Sequence, residues 1–113
     1  MPVEIEEKAV APGTVVIALG GKLMMGSQGD RIVAAVDRLL AEGVRTIVFD
    51  LSGITVLDST GVGYFIHSFN KIGAAGGTMR MSGATGHVFQ TFHVSLLDQV
   101  FPFFASAEEA ASA

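Results

Sequence analysis

The chain has 113 residues, carries a formal net charge of −4 and is half hydrophobic, with a mean hydropathy of +0.52. This length predicts a single domain over residues 1–113, and so apolar a composition excludes a disordered chain. The seven basic residues are scattered along the sequence. Because binding to nucleic acid usually requires a basic stripe, we expect no nucleic-acid partner.

Cysteine is absent, which excludes disulfide bonds, a thiol nucleophile and thiolate ligands for a metal. The first eleven residues contain three glutamates, so they do not resemble a signal peptide. No apolar run approaches the ~20 residues that span a bilayer. We therefore expect a soluble, cytoplasmic protein without membrane insertion.

The first half of the chain begins with two predicted strands. Apolar and acidic residues alternate over 3–10, and a Pro-Gly turn at 12–13 leads into a β-branched run over 14–19, which predicts an antiparallel pair at a sheet edge. A helix follows, for which Ser27 or Asp30 is the expected N-cap and Gly43 the expected end. Its apolar stripe comprises Ile32, Val33, Val36, Leu39 and Leu40.

The rest of the chain alternates strands with helices. Residues 46–51 are almost continuously apolar, which is typical of a central strand covered on both faces. A second helix begins at 58–60, and a strand over 78–82 leads to a short helix around 86–93. A last strand over 100–104 contains Pro102, which favours an edge position, and Ser106 caps a short final helix. The apolar stripe of the second helix comprises Val62, Phe65, Ile66, Phe69 and Ile72.

The resulting order is β-β-α-β-α-β-α-β-α. It predicts an α/β fold with a mainly parallel or mixed sheet of about five strands, flanking helices and right-handed crossovers.

Motifs for catalysis and for metal binding are missing from the sequence. His67, His87 and His93 have no second ligand at metal-binding spacing. Residues 61–63 lack the third glycine of a dinucleotide fingerprint, and Ser27 lacks the glycine that a nucleophile elbow places two residues before its serine. We therefore expect no enzymatic activity, no metal and no cofactor.

One segment, VLDSTGVG over 56–63, places two hydroxyls directly after an acidic residue where a strand meets a helix. One interpretation is a plain N-cap, because Asp, Ser and Thr side chains all accept hydrogen bonds from first-turn N–H groups. The other is a phosphorylation site, because a helix N-terminus tolerates a phosphoryl group, which adds about −1.5 to −2 charges at pH 7.

The sequence LDSTGVG over 57–63, followed by an amphipathic helix, Gly76-Gly77 and a strand, resembles the signature of STAS-domain anti-sigma factor antagonists (anti-anti-sigma factors). The resemblance covers essentially the whole chain, including GGKL over 20–23 and TIVFDL over 46–51. It implies the STAS fold and a role in transcription regulation. The unphosphorylated domain would bind an anti-sigma factor with a serine-kinase fold and free a sigma factor. Phosphorylation would release it, and a PP2C-type phosphatase would reset it.

By the same resemblance, Ser59 is the expected phosphorylation site and Thr60 is the neighbouring hydroxyl. Members of the family often carry Asp where Met24 stands, so the resemblance also implies a more apolar partner surface in this chain. The expected partner-binding residues are Leu23, Met24, Met25, Asp58, Ser59, Thr60, Gly61, Val62 and Gly63.

Two other functions are compatible with these residues. A STAS subunit of a lipid-transport or stress-sensing complex would keep the fold without the phosphorylation switch. A small-ligand or nucleotide-binding domain would use the carboxyl ends of the strands, although the sequence offers no phosphate cradle beyond a single helix N-terminus.

Overall fold

The computed structural model describes all residues, 1–113. A 3₁₀ turn (Leu97–Gln99) lies between the third helix and the last strand. The strands and helices are β1 (Glu4–Ala11), β2 (Thr14–Leu23), α1 (Asp30–Ala41), β3 (Thr46–Leu57), α2 (Ser59–Ala74), β4 (Thr78–Ser82), α3 (Gly86–Val94), β5 (Phe103–Phe104) and α4 (Ala107–Ser112).

The five strands form one sheet in the order β1-β2-β3-β4-β5. β1 is antiparallel to β2, and every other neighbouring pair is parallel. The mixed α/β sheet, its edge pair and the order of its strands and helices confirm the prediction from the sequence. A helix follows each of β2, β3 and β4 and returns the chain to the start of the next parallel strand, as parallel pairing requires.

The two faces of the sheet are covered unequally. Alternate residues of a strand point to opposite faces, and Ile47 and Phe49 of β3 belong to the main core, which also contains the buried residues of α1, α2 and α3. Val48 packs instead with Val16 and with Ala110 of α4. The first three helices therefore cover one face, and the short α4 covers part of the other.

Aromatic contacts fix α2 against the sheet. The rings of Phe49 and Phe65 pack edge to face with centroids 5.2 Å apart, and Phe65 also contacts Phe92 of α3 at 5.7 Å. All three side chains are fully buried. Since Phe49 lies in the first half of β3 and Phe65 near the middle of α2, these contacts hold the body of α2 against that strand.

The predicted cap of α1 is wrong. The N-cap position is Gly29, and no side chain caps the helix. The Ser27 hydroxyl is used elsewhere, because it donates to the Met24 carbonyl at 2.6 Å and accepts from the Met24 N–H at 3.0 Å. Asp30 lies within the first turn. The Ser27 side chain therefore closes a turn with Met24 and does not cap α1.

Four other boundaries or burials differ from expectation. β2 and β3 both continue beyond the predicted runs, to Leu23 and Leu57. β5 contains only Phe103–Phe104, because the N–H groups of Val100 and Phe101 donate to the Leu97 carbonyl of the 3₁₀ turn and Pro102 lacks an N–H for the ladder. Ile66, predicted to belong to the buried stripe of α2, is 40% exposed. The cap of α4 is confirmed, since the Ser106 hydroxyl accepts from the Glu109 N–H at 3.2 Å.

Candidate functional site

The carboxyl ends of β2 and β3 bring together the two segments predicted to bind a partner. The strands are parallel neighbours, and Leu23 at the end of β2 pairs with Leu57 at the end of β3. The loop that follows β2 and the first turn of α2 therefore begin side by side. This register joins residues that are more than thirty positions apart in the sequence.

The Asp58 carboxylate connects these two segments. Its Oδ1 accepts from the Gly61 N–H at 2.8 Å, which makes Asp58 the N-cap of α2. Its Oδ2 accepts from the Met25 N–H at 3.0 Å, and the Asp58 N–H donates to the Leu23 carbonyl at 3.3 Å. One acidic side chain thus satisfies the first turn of a helix and holds the loop beside it.

These hydrogen bonds also favour the ionised form of the Asp58 carboxylate. Partial burial acts to raise the pKa of Asp58. The hydrogen bonds donated by the Gly61 and Met25 N–H groups lower it by more, so the pKa falls below its ordinary value of 3.8. The carboxylate is therefore ionised at neutral pH. A negative charge stands directly before the two hydroxyls of the motif.

Ser59 is the more accessible of those hydroxyl residues. It is the first residue of α2 and is exposed, whereas Thr60 is half-buried. Because Asp58 already caps the helix, the N-cap interpretation of the motif applies to Asp58 and not to Ser59. The Ser59 hydroxyl is available for chemistry or contact at the positive end of a helix.

The two glycines of the motif have different surroundings. A Cβ on Gly61 would lie 2.5 Å from the Leu23 carbonyl oxygen and 2.7 Å from Cδ1 of Leu57, so α2 approaches β2 as closely as a glycine allows. A Cβ on Gly63 would meet no atom within 4 Å. Gly61 is thus required by packing, and Gly63 leaves a patch of exposed backbone.

The remaining residues predicted to bind a partner also divide into buried and exposed ones. Leu23 and Val62 are buried, and Met24 is half-buried. Met25, in contrast, is 75% exposed. The loop that carries it turns at Gly26, whose φ of +86° lies in the left-handed region that favours glycine. The conformation of this loop therefore leaves the large apolar side chain of Met25 at the surface.

Ile66 belongs to the exposed part of the site, although sequence reasoning assigned it to the core. It follows Ser59 and Gly63 on one face of α2, at helical spacings of four and three residues. A shallow cleft of about 530 Å³ is lined by Gly63, Ile66, His67, Asn70, Lys71 and Ala74. The signal in the sequence is angular, because Ile66 lies roughly 100° around the helix from the centre of the buried stripe. We call Met25, Ser59, Gly63 and Ile66 the Ser59 surface.

Two side chains outside the predicted set support this end of the sheet. The Tyr64 ring packs on Gly29, where an added Cβ would lie 2.4 Å from Cε2 of the ring. The Leu57 N–H, directly before Asp58, donates to His87 Nε2 at 3.4 Å. The first contact joins α2 to the loop after β2, and the second joins the start of α3 to the end of β3.

Comparison with known proteins places this geometry in a family. A model described as the STAS domain matches residues 7–110, nearly the whole chain. The chain belongs to the STAS family. Comparison with curated protein sequences gives no match. None of the helices has the length and apolar character needed to cross a membrane.

Several solved structures share the fold at low sequence identity. An anti-sigma factor antagonist from Mycobacterium paratuberculosis is 20% identical, with a TM-score of 0.84 over 97% of this chain and 92% of that one. The Bacillus cell-fate determinant SpoIIAA in its phosphorylated form is 24% identical, with a TM-score of 0.75 over 96% and 97%. A sulfate transporter family protein from Wolinella succinogenes is 17% identical, with a TM-score of 0.80 over 93% and 87%.

Proposed function

We propose that this STAS domain, acting as a single unit over residues 1–113, is an anti-sigma factor antagonist in the cytoplasm. Unphosphorylated, it binds an anti-sigma factor with a serine-kinase fold through the Ser59 surface, and so frees a sigma factor. The observation that carries this proposal is the exposed Ser59 hydroxyl at the start of α2, where Asp58 already supplies the helix cap. The domain itself acts as a binding module and not as an enzyme.

Phosphorylation of Ser59 is the proposed switch. The Ser59 oxygen attacks the γ-phosphorus of ATP bound to the partner kinase, the bond from that phosphorus to the β–γ bridging oxygen breaks, and ADP leaves. The hydroxyl proton passes to a base of the kinase. The product carries about −1.5 to −2 charges at pH 7 beside the ionised Asp58. A PP2C-type phosphatase reverses the change by hydrolysis.

The site can accept that charge without unfolding. A phosphoryl group on the first residue of a helix lies near the N–H groups and the positive end of the helix dipole. On the Ser59 surface it replaces a neutral hydroxyl, and the surface also includes Met25 and Ile66, two exposed apolar side chains. An apolar partner surface pays a large desolvation cost for covering such a charge. SpoIIAA, which shares this fold, has been solved in unphosphorylated and phosphorylated forms, and this supports the proposal.

The test is the intact mass of a tagged copy recovered from the native host, with identification of any protein retained on the tag. We expect a one-phosphate adduct on the wild type and on Thr60→Ala, and none on Ser59→Ala. The alanine variant at 59 should retain a serine-kinase-fold protein more strongly than the wild type, and Ser59→Asp should retain it weakly. A phosphate that persists on Ser59→Ala and disappears from Thr60→Ala would assign the switch to Thr60 instead.

A second candidate is a non-switching STAS subunit of a lipid-transport or stress-sensing complex. The structural likeness to a sulfate transporter family protein favours keeping it, because it shows that this fold also occurs in a protein of the transporter class. The same experiment separates the two candidates. An unmodified protein that retains transporter or scaffold subunits, with no kinase on any variant, would support the second.

A further inference from the structure

We propose that Asp58 is the positioning residue of the Ser59 surface: its carboxylate holds Met25 in place, and a phosphoryl group on Ser59 releases that hold. The inference rests on the proposed function and adds a mechanism to it. Phosphorylation would then change the shape of the apolar part of the surface as well as its charge.

The hold on Met25 is specific and long-range. The Met25 N–H donates to Asp58 Oδ2 at 3.0 Å across 33 positions of sequence, while the Met25 side chain remains 75% exposed. On the other side, the loop is closed by the Ser27 hydroxyl, which bonds both the N–H and the carbonyl of Met24. Asp58 is thus the group that ties the backbone of Met25 to α2.

The same carboxylate belongs to Asp58, the residue directly before Ser59 in the sequence, and is therefore subject to repulsion by a charge on Ser59. Neighbouring negative groups repel each other. A phosphoryl group also competes for the N–H groups of the first helical turn, such as the Gly61 N–H that now donates to Asp58. Either effect turns the carboxylate away from its present position. Oδ2 then no longer accepts from the Met25 N–H.

Asn at position 58 separates the hold on Met25 from the helix cap. Asn is as good an N-cap as Asp, so its single side-chain oxygen can still accept from Gly61. The other side-chain atom becomes an NH₂ donor, which cannot accept from the Met25 N–H. Asp58→Asn should therefore keep α2 capped and release Met25 without adding any charge.

The experiment is ¹H–¹⁵N NMR of the full chain in four forms: wild type, protein with phosphoserine incorporated at position 59, Asp58→Asn, and Thr60→Ala as the matched control. In the wild type, the hydrogen bond to a carboxylate shifts the Met25 amide proton downfield. We expect that shift to be lost in the phosphoserine protein and in Asp58→Asn and retained in Thr60→Ala. Unchanged amide resonances of the buried Phe49 and Phe65 would show that all four forms are folded.

The outcomes separate this inference from the function on which it rests. A Met25 amide that keeps its downfield shift in the folded phosphoserine protein would overturn the inference. If that protein nevertheless loses the kinase-fold partner on the affinity tag, the proposed function stands by charge alone. If the shift is lost but the phosphoserine protein still retains the partner, the hold by Asp58 is supported and the proposed switch fails.

Discussion

The two glycines near the start of α2 offer a matched pair of substitutions. Gly→Ala in a helix interior gains about 1 kcal/mol of helix propensity. At Gly63 the new methyl group meets no atom within 4 Å, so Gly63→Ala should stabilise the fold by about 0.5–1 kcal/mol. At Gly61 the new Cβ would lie 2.5 Å from a backbone carbonyl oxygen and 2.7 Å from a leucine methyl.

The carbonyl at Gly61 decides the sign of the effect. It belongs to Leu23, the fully buried last residue of β2, and it cannot rotate away as the end of a flexible side chain can. The start of α2 must shift instead, and overpacking of this kind costs about 1–3 kcal/mol. Because the propensity gain is common to both variants, the difference between them isolates this steric cost. For a chain of this size it corresponds to roughly 4 °C in Tm for each kcal/mol.

Thermal and urea unfolding followed by circular dichroism would measure the difference. The expected order of stability is Gly63→Ala, then wild type, then Gly61→Ala. If the two variants were equally stable, or if Gly61→Ala were more stable than the wild type, the close approach of α2 to β2 would be refuted.

Three further predictions concern stability and can be checked by urea unfolding. Ser59→Ala should change the free energy of unfolding by no more than about 0.5 kcal/mol, whereas Asp58→Ala, which removes the cap, should lose about 0.5–2 kcal/mol. The folded state lowers the pKa of Asp58, so the stabilisation from its ionised carboxylate is fully present above the unfolded pKa of 3.8 and is lost as the pH falls through the lower folded pKa. Free energies of unfolding measured at a series of pH values below 5 should show this loss in the wild type and a smaller loss in Asp58→Asn. Phe92→Ala removes a fully buried ring and should cost about 3–5 kcal/mol at neutral pH, and a cost below 1 kcal/mol would contradict its place in the core.

The order of strands and helices could be predicted because each has its own period of apolar residues. The errors arise where the contacts of a side chain differ from those that its residue type suggests. Ser27 has the residue type of a helix cap, but its hydroxyl closes a turn on Met24. Ile66 is apolar and close to the buried stripe of α2, yet it is 40% exposed, because it lies roughly 100° around the helix from the centre of that stripe.

The candidate site was only partly predictable for the same reason. The acid and the hydroxyls are contiguous at 58–60, so the sequence displays them together. The bond from Asp58 to Met25 depends on the pairing of Leu23 with Leu57, which is a property of sheet register. Local sequence allowed three side chains as the cap of α2, and the structure assigns that cap to Asp58. That assignment leaves Ser59 exposed.

The site consists of two sets of residues whose substitution should have different effects. Leu23, Gly61 and Val62 are buried, so changes there alter folding and surface geometry together. The four residues of the Ser59 surface are exposed, and changes there should alter partner binding without destabilising the fold. Asp58 belongs to both sets, because one carboxylate oxygen caps α2 and the other holds Met25. Loss of binding in an Asp58 variant is therefore informative only beside its unfolding free energy, and Asp58→Asn is the variant in which the two effects separate.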